Sequence, residues 1–185
     1  MNLVFIGPPY AGKGTQTDLL SKSLEIPVYS MGALIRDAFE RRDPHAVEGY
    51  ENYTLKGQHV PTNLKFKFLE DKLNDSPEGF IIDNFPATAE DLQIFNEYLE
   101  KNGKKIDSAI HLWISEEEMK KRRKSRGRDD DDPEIVKTRR EAQDEDRIPV
   151  IEYYKKQGTL IEINEEGDIQ EVNRQIMDKL RMKNE

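Results

Sequence analysis

The sequence predicts an α/β fold of three layers: a five-stranded parallel sheet with helices on both faces. Three observations carry that expectation. Short apolar runs alternate with helical segments along the chain, the order that builds a parallel sheet. The first run, Leu3-Val4-Phe5-Ile6, stops at a glycine and leads through the loop Gly7-Pro8-Pro9-Tyr10-Ala11-Gly12-Lys13-Gly14-Thr15 into a helix start at Gln16. The third run ends in a carboxylate, Asp83, and open parallel sheets bind their ligands at the C-terminal ends of the strands.

Each element has its own signature. After the first strand and helix, Ile26-Pro27-Val28-Tyr29 reads as a short second strand, and Ser30 suits the N-cap of a helix with Leu34, Ile35, Ala38 and Phe39 on its apolar face. Residues 41–57 carry a weak pattern, with Pro44 and Gly49 as breakers. Pro61 and Thr62 open a helix that carries Leu64, Phe68, Leu69 and Leu73. Gly79-Phe80-Ile81-Ile82-Asp83 is the third strand. Thr88 then caps a helix with Leu92, Phe95, Tyr98 and Leu99 inward, which Asn102-Gly103 ends. Ala109-Ile110-His111-Leu112-Trp113-Ile114 and Thr159-Leu160-Ile161-Glu162-Ile163 are the fourth and fifth strands, and Ile169, Val172, Ile176 and Leu180 line one side of the last helix.

Composition bounds the function. A chain of 185 residues is expected to form one domain over 1–185. With 36% charged and only 35% hydrophobic residues its core is narrow, and a net charge of −8 argues against general binding to nucleic acid or anionic membranes. The absence of cysteine removes disulfides, thiolate catalysis and cysteine-based zinc sites. No signal peptide is read at the N-terminus, and no run approaches the ~20 apolar residues of a membrane span. A cytoplasmic monomer is the expectation.

The loop after the first strand carries the chemistry. Strand, glycine-bounded loop, lysine and helix N-terminus together form a phosphate cradle, in which backbone N–H groups and Lys13 face a polyphosphate. The strict pattern G-x-x-x-x-G-K-[ST] is broken by Gly14, with Thr15 one place later. Asp83, at the end of a neighbouring strand, can hold Mg²⁺ directly or through water; its plainer alternative is to bond the N–H groups of the next turn. The run Lys120-Lys121-Arg122-Arg123-Lys124-Ser125-Arg126-Gly127-Arg128 is followed at once by Asp129-Asp130-Asp131-Asp132, which would repel a nucleic-acid backbone, and Arg139-Arg140 recur at helical distance. Such arginines suit a clamp over a transferring phosphoryl group. His45, His59 and His111 show no spacing suited to a metal.

From Gly12-Lys13-Gly14-Thr15-Gln16 onward the chain resembles the adenylate kinases of the nucleoside monophosphate kinase family, over essentially its whole length. In that family Gly-Thr-Gln follows the lysine, so Gly14 is a family trait. Ser30-Met31-Gly32-Ala33-Leu34-Ile35-Arg36 resembles the segment that binds the acceptor monophosphate, and Gly57-Gln58-His59-Val60-Pro61 the segment that lines its base and sugar. Gly79-Phe80-Ile81-Ile82-Asp83-Asn84-Phe85-Pro86-Ala87-Thr88 resembles a family stretch with a cis bond before its proline. The resemblance implies ATP with Mg²⁺, AMP as acceptor, an acceptor-binding segment at about 30–60 and a short lid at about 122–132. It implies a donor site of Gly7, Tyr10, Ala11, Gly12, Lys13, Gly14, Thr15, Arg122 and Gly167, with Lys13, Arg36, Arg126, Arg128 and Arg139 holding phosphates during transfer. On the acceptor side it implies Met31, Arg36, Gln58, His59, Val60, Asn84, Phe85, Pro86, Ala87, Asp91, Arg128 and Arg139, and for the metal Asp83.

The departures fall mostly on the acceptor side. Ala87 stands where the family has an arginine, a change that costs roughly 2–5 kcal/mol by analogy with buried charge pairs. Met31 replaces a threonine, Ala33 an aspartate and Asp91 the glutamine that reads adenine. A carboxylate accepts only, which would suit guanine N1–H and N2–H₂, although Thr88-x-x-Asp91 is close to a capping box and capping is the favoured reading. Tyr10 replaces a loop glycine, and a positive φ there would strain it by about 1–2 kcal/mol. Two rivals follow from these departures: an ATP-binding regulatory protein with weak or lost transferase activity, and a kinase with another acceptor such as GMP. A nucleic-acid-dependent ATPase is disfavoured by the charge.

Overall fold

The computed structural model describes residues 1–126 and 133–183, the side chains of 123–126 and 133–142 excepted. Five strands, β1 (Asn2–Ile6), β2 (Val28–Ser30), β3 (Phe80–Asp83), β4 (Ser108–Trp113) and β5 (Leu160–Asn164), form one sheet in the order β2-β3-β1-β4-β5. Every pairing is parallel. β1 lies at the centre, and its register sets Phe5 beside Asp83, so the loop that follows β1 emerges next to that carboxylate.

Side-chain alternation explains why both faces are covered. Val4, Ile6, Phe80, Ile82 and Ala109 point into one core, which also takes Ile35, Leu69, Phe95 and Tyr154 from the helices. Leu3, Phe5, Ile81, Ile110 and Leu112 point into the other, closed by Leu20, Val172, Ile176 and Leu180. The helices are α1 (Lys13–Leu24), α2 (Met31–Glu40), α3 (Pro44–Asn52), α4 (Thr62–Asn74), α5 (Ala89–Lys101), α6 (Glu116–Arg126), α7 (Pro133–Lys156) and α8 (Ile169–Met182). No described helix is long and apolar enough to cross a membrane.

Two local readings change. Residues 44–52 form α3 where the sequence suggested broken structure. Pro44 begins the helix, where its missing N–H costs nothing, and the Asp43 carboxylate caps it by accepting from His45 N at 2.9 Å and Ala46 N at 3.2 Å. Gly49 packs against the Val60 side chain: a Cβ there would lie 2.7 Å from Val60 Cγ1. In α8, Val172, Ile176 and Leu180 are buried as expected, whereas Ile169 is 48% exposed at the rim of the cleft described next.

Candidate active site

The loop closes as the glycines dictate. Gly12 adopts φ 68° at the N-cap of α1, and a side chain there would collide with the Glu165 carboxylate. The first turn of α1 carries no acidic residue and no side-chain cap, so its N–H groups and dipole are available to an anion. Lys13 Nζ donates to Gly7 O and Pro8 O, each at 2.9 Å, which fixes the charge beneath the loop. Tyr10 does take a positive φ, 66°. Its ring is buried against Met119 and Ile114, and burying a large side chain contributes about 1.5–3 kcal/mol, enough to offset the strain.

These residues wall one cleft of about 880 Å³. The loop from Tyr10 to Thr15 and Arg122 line it together with Met31, Arg36, Gln58, His59, Val60, Asp83, Asn84 and Ala87. Ser30, at the N-cap of α2, turns its hydroxyl to Asp83 Oδ2 at 3.1 Å and makes no cap bond. Asp83 Oδ1 is buried without a hydrogen-bond partner among the described residues. A hydrated Mg²⁺ fits that unsatisfied oxygen; among the described residues no three carboxylates or histidines cluster around it. Asn84 takes φ 63°, a conformation asparagine tolerates better than most residues, and the Phe85–Pro86 bond is cis.

Arg36 makes no hydrogen bond or ion pair among the described residues, and its guanidinium folds back to 3.2 Å from the place a Cβ of Gly32 would take. Gly7, Phe85, Pro86, Asp91 and Gly167 do not line the cleft. Phe85 is core, 5.6 Å from the ring of Phe66 and 5.5 Å from that of Phe95. Asp91 is fully buried: its carboxylate accepts from Thr62 Oγ1 at 2.6 Å, Lys65 Nζ at 2.9 Å and Ala87 N at 3.0 Å. Its own N–H bonds Thr88 Oγ1 at 3.1 Å, the cap the sequence indicated. With its oxygens committed inward, Asp91 offers nothing to a guanine edge.

Two residues that the sequence reading passed over enter here. Lys65, 4% exposed, lines the cleft beside Ala87. Its signal was available: Lys65 lies four before Leu69 and Asp91 four before Phe95, opposite charges on two apolar stripes. Glu165, 3% exposed, follows β5, pairs through its carboxylate with Arg122 and accepts from Arg122 Nη2 at its carbonyl at 2.7 Å. Arg122 also donates to Glu118 at 2.9 Å and to Tyr10 O at 3.4 Å. Glu165 and Ile169, not Gly167, form this wall. Arg128 lies outside the described residues, as do the side chains of Arg126 and Arg139.

His59 and His111 are both pushed below the ordinary value of 6.5, first by burial and then by the charges of Lys65 and Arg147 respectively. Asp146 at 3.5 Å and Glu162 at 3.6 Å oppose this without overcoming it. Because the folded values are depressed, the unfolded chain binds more protons below about pH 6.5, and stability falls as pH drops through that region and is recovered above it. The thermal midpoint should therefore decline between pH 7.5 and 5.5, and decline less in His59→Asn/His111→Asn. An equal decline in both proteins would refute the assignment.

Comparison with known proteins follows the same lines. A family model described as adenylate kinase matches residues 5–159. The chain is 37% identical over 175 residues to an adenylate kinase of Corynebacterium aurimucosum, covering 94% of this chain and 95% of that protein. It is 34% identical over 181 residues to an adenylate kinase of Leptospira biflexa, covering 95% and 97%. With an adenylate kinase of Mycolicibacterium smegmatis it shares 36% over 174 residues, covering 93% and 94%.

Proposed function

The chain belongs to the adenylate kinase family, and from that premise we propose that its cleft transfers the terminal phosphoryl group of ATP to AMP. The observation that carries this reading is a single cleft lined by both the phosphate loop with Lys13 and a second cation, Arg36, which has no partner among the described residues, with Asp83 on its wall. A donor polyphosphate and an acceptor monophosphate each need such a partner.

In the reaction an oxygen of the acceptor phosphate forms a bond to the γ-phosphorus while the bond from the β–γ bridging oxygen breaks, so that two ADP result. The acceptor phosphate is already an anion, and no side chain has to remove a proton. What the chain supplies is position and neutralisation. The amides of Gly12, Lys13, Gly14 and Thr15 and the Lys13 ammonium hold the donor phosphates, and Arg36 holds the acceptor phosphate. Arg122 flanks the donor, and Arg126, Arg128 and Arg139 would add positive charge to neutralise the transferring group. Asp83 would hold Mg²⁺ through water, and the ion when bound would supply neutralisation of phosphate charge. Segment 30–60, which contains α2 and α3, would bind the acceptor, and 122–132 would form the lid. The same reading takes the protein to be a cytoplasmic monomer with no nucleic-acid or membrane partner, which a net charge of −8 supports.

The test is ADP formation from ATP, Mg²⁺ and AMP by the purified protein. ATP binding without transfer to AMP would overturn the reading in favour of the regulatory rival. The position of Ala87 on the cleft wall also predicts that Ala87→Arg lowers the KM for AMP severalfold with little change for ATP. An unchanged KM for AMP would mean that Arg36 already satisfies the acceptor phosphate.

A further inference from the structure

The acceptor end of the cleft holds a buried donor with no ligand assigned to it. Lys65 is 4% exposed, and its ammonium has one partner among the described residues, Asp91 Oδ2 at 2.9 Å. It also lies 5.7 Å from the centre of the Phe85 ring. An ammonium carries three N–H donors, so two remain without an acceptor at a site where an unmade hydrogen bond is costly. Lys65 lines the cleft beside Met31, Ile35, Val60 and Ala87.

We propose that Lys65 reads the acceptor's base by donating to one of the ring nitrogens of adenine. The proposal rests on the assignment of AMP as acceptor. Three features favour the base over the phosphate. The Asp91 carboxylate, which pairs with Lys65, largely neutralises its charge and would itself repel a phosphate dianion. Met31, Ile35 and Val60 make the surrounding wall apolar, as a flat base requires. Arg36 remains for the phosphate. Asp91 acts through Lys65: held by Thr62 and the Ala87 amide, it positions the ammonium. An ammonium cannot accept, so Lys65 gives nothing to the exocyclic amino group.

The experiment compares AMP with its 1-deaza, 3-deaza and 7-deaza analogues, each of which replaces one ring nitrogen by C–H, on the wild-type enzyme and on Lys65→Met/Asp91→Asn. One analogue should lose about tenfold or more in kcat/KM on the wild type, the worth of a charge-assisted hydrogen bond. On the double variant AMP should fall to the level of that analogue, which loses nothing further, while the KM for ATP changes less than twofold. Loss of no more than twofold for every analogue, or a loss that persists in the variant, overturns the proposal while transfer to AMP itself stands. No transfer to AMP by the wild type overturns the acceptor assignment and the proposal with it. Should the double variant not fold, Lys65→Arg keeps a cation beside Asp91 but moves its donors. The ranking of the analogues should then change, and an unchanged ranking with unchanged KM for AMP refutes the role.

Discussion

Replacing Lys13 by methionine is expected to lower kcat for ADP formation by about 100- to 1000-fold, the usual consequence of removing one preorganised donor from the place where charge develops. The expectation follows from how the side chain is held. Two carbonyls of its own loop, Gly7 O and Pro8 O, grip the ammonium at 2.9 Å each, so the charge is placed before any nucleotide arrives and needs no reorganisation during transfer. Methionine keeps the aliphatic stem and removes only the charge and its donors. The loop should survive, because Gly12 and the N-terminus of α1 set its course and the two carbonyls can turn to water. The KM for AMP should accordingly stay within about twofold, since Arg36 and Lys65, which line the same cleft, keep their charges. Steady-state kinetics with both substrates varied, together with a melting curve, makes the measurement. A fall in kcat of less than about tenfold would mean that the loop amides alone neutralise the donor phosphates.

The sheet was legible because its signals are local. Apolar runs, the turn residues that bound them and the carboxylate of Asp83 each sit at one place in the chain, and the parallel order follows from their alternation with helices. The family resemblance reached as far as the positive φ of Tyr10 and the cis Phe85–Pro86 bond. What was not legible depended on distance in sequence. The apolar stripes of α4 and α5 carry Lys65 and Asp91 inward, but nothing near Asp91 says that its carboxylate turns to a lysine on another helix, and the capping pattern at Thr88 describes only its N–H. Likewise Glu165 reads as one of two acidic residues after a strand, until Arg122 from α6 closes on it and Gly12 leaves it room. α3 was missed for a different reason: Pro44 and Gly49 break helices in the interior, but Pro44 sits at the first turn and Gly49 at a close contact.

The largest effect on stability is expected at Asp91. Asp91→Ala removes the acceptor of Thr62, of Lys65 and of the Ala87 amide in one step, and leaves the Lys65 ammonium buried without a counter-charge. Breaking a buried pair from one side costs about 3–5 kcal/mol, which for a chain of 185 residues lowers the melting midpoint by roughly 6–20 °C. Neutralising both partners is a different perturbation. In Lys65→Met/Asp91→Asn the methionine fills the space of the lysine stem, the asparagine carbonyl accepts from the Ala87 amide and its NH2 donates to the Thr62 hydroxyl, so at least half of the lost stability should return. Thermal unfolding of the wild type, the single variant and the double variant measures this directly. A midpoint within about 2 °C of the wild type for Asp91→Ala would show that water or another group neutralises Lys65, and the buried pair would lose its structural weight. The double variant separates the two consequences of the pair. Its stability should largely recover while its affinity for AMP does not, because packing can replace a counter-charge but no apolar side chain can donate to a base.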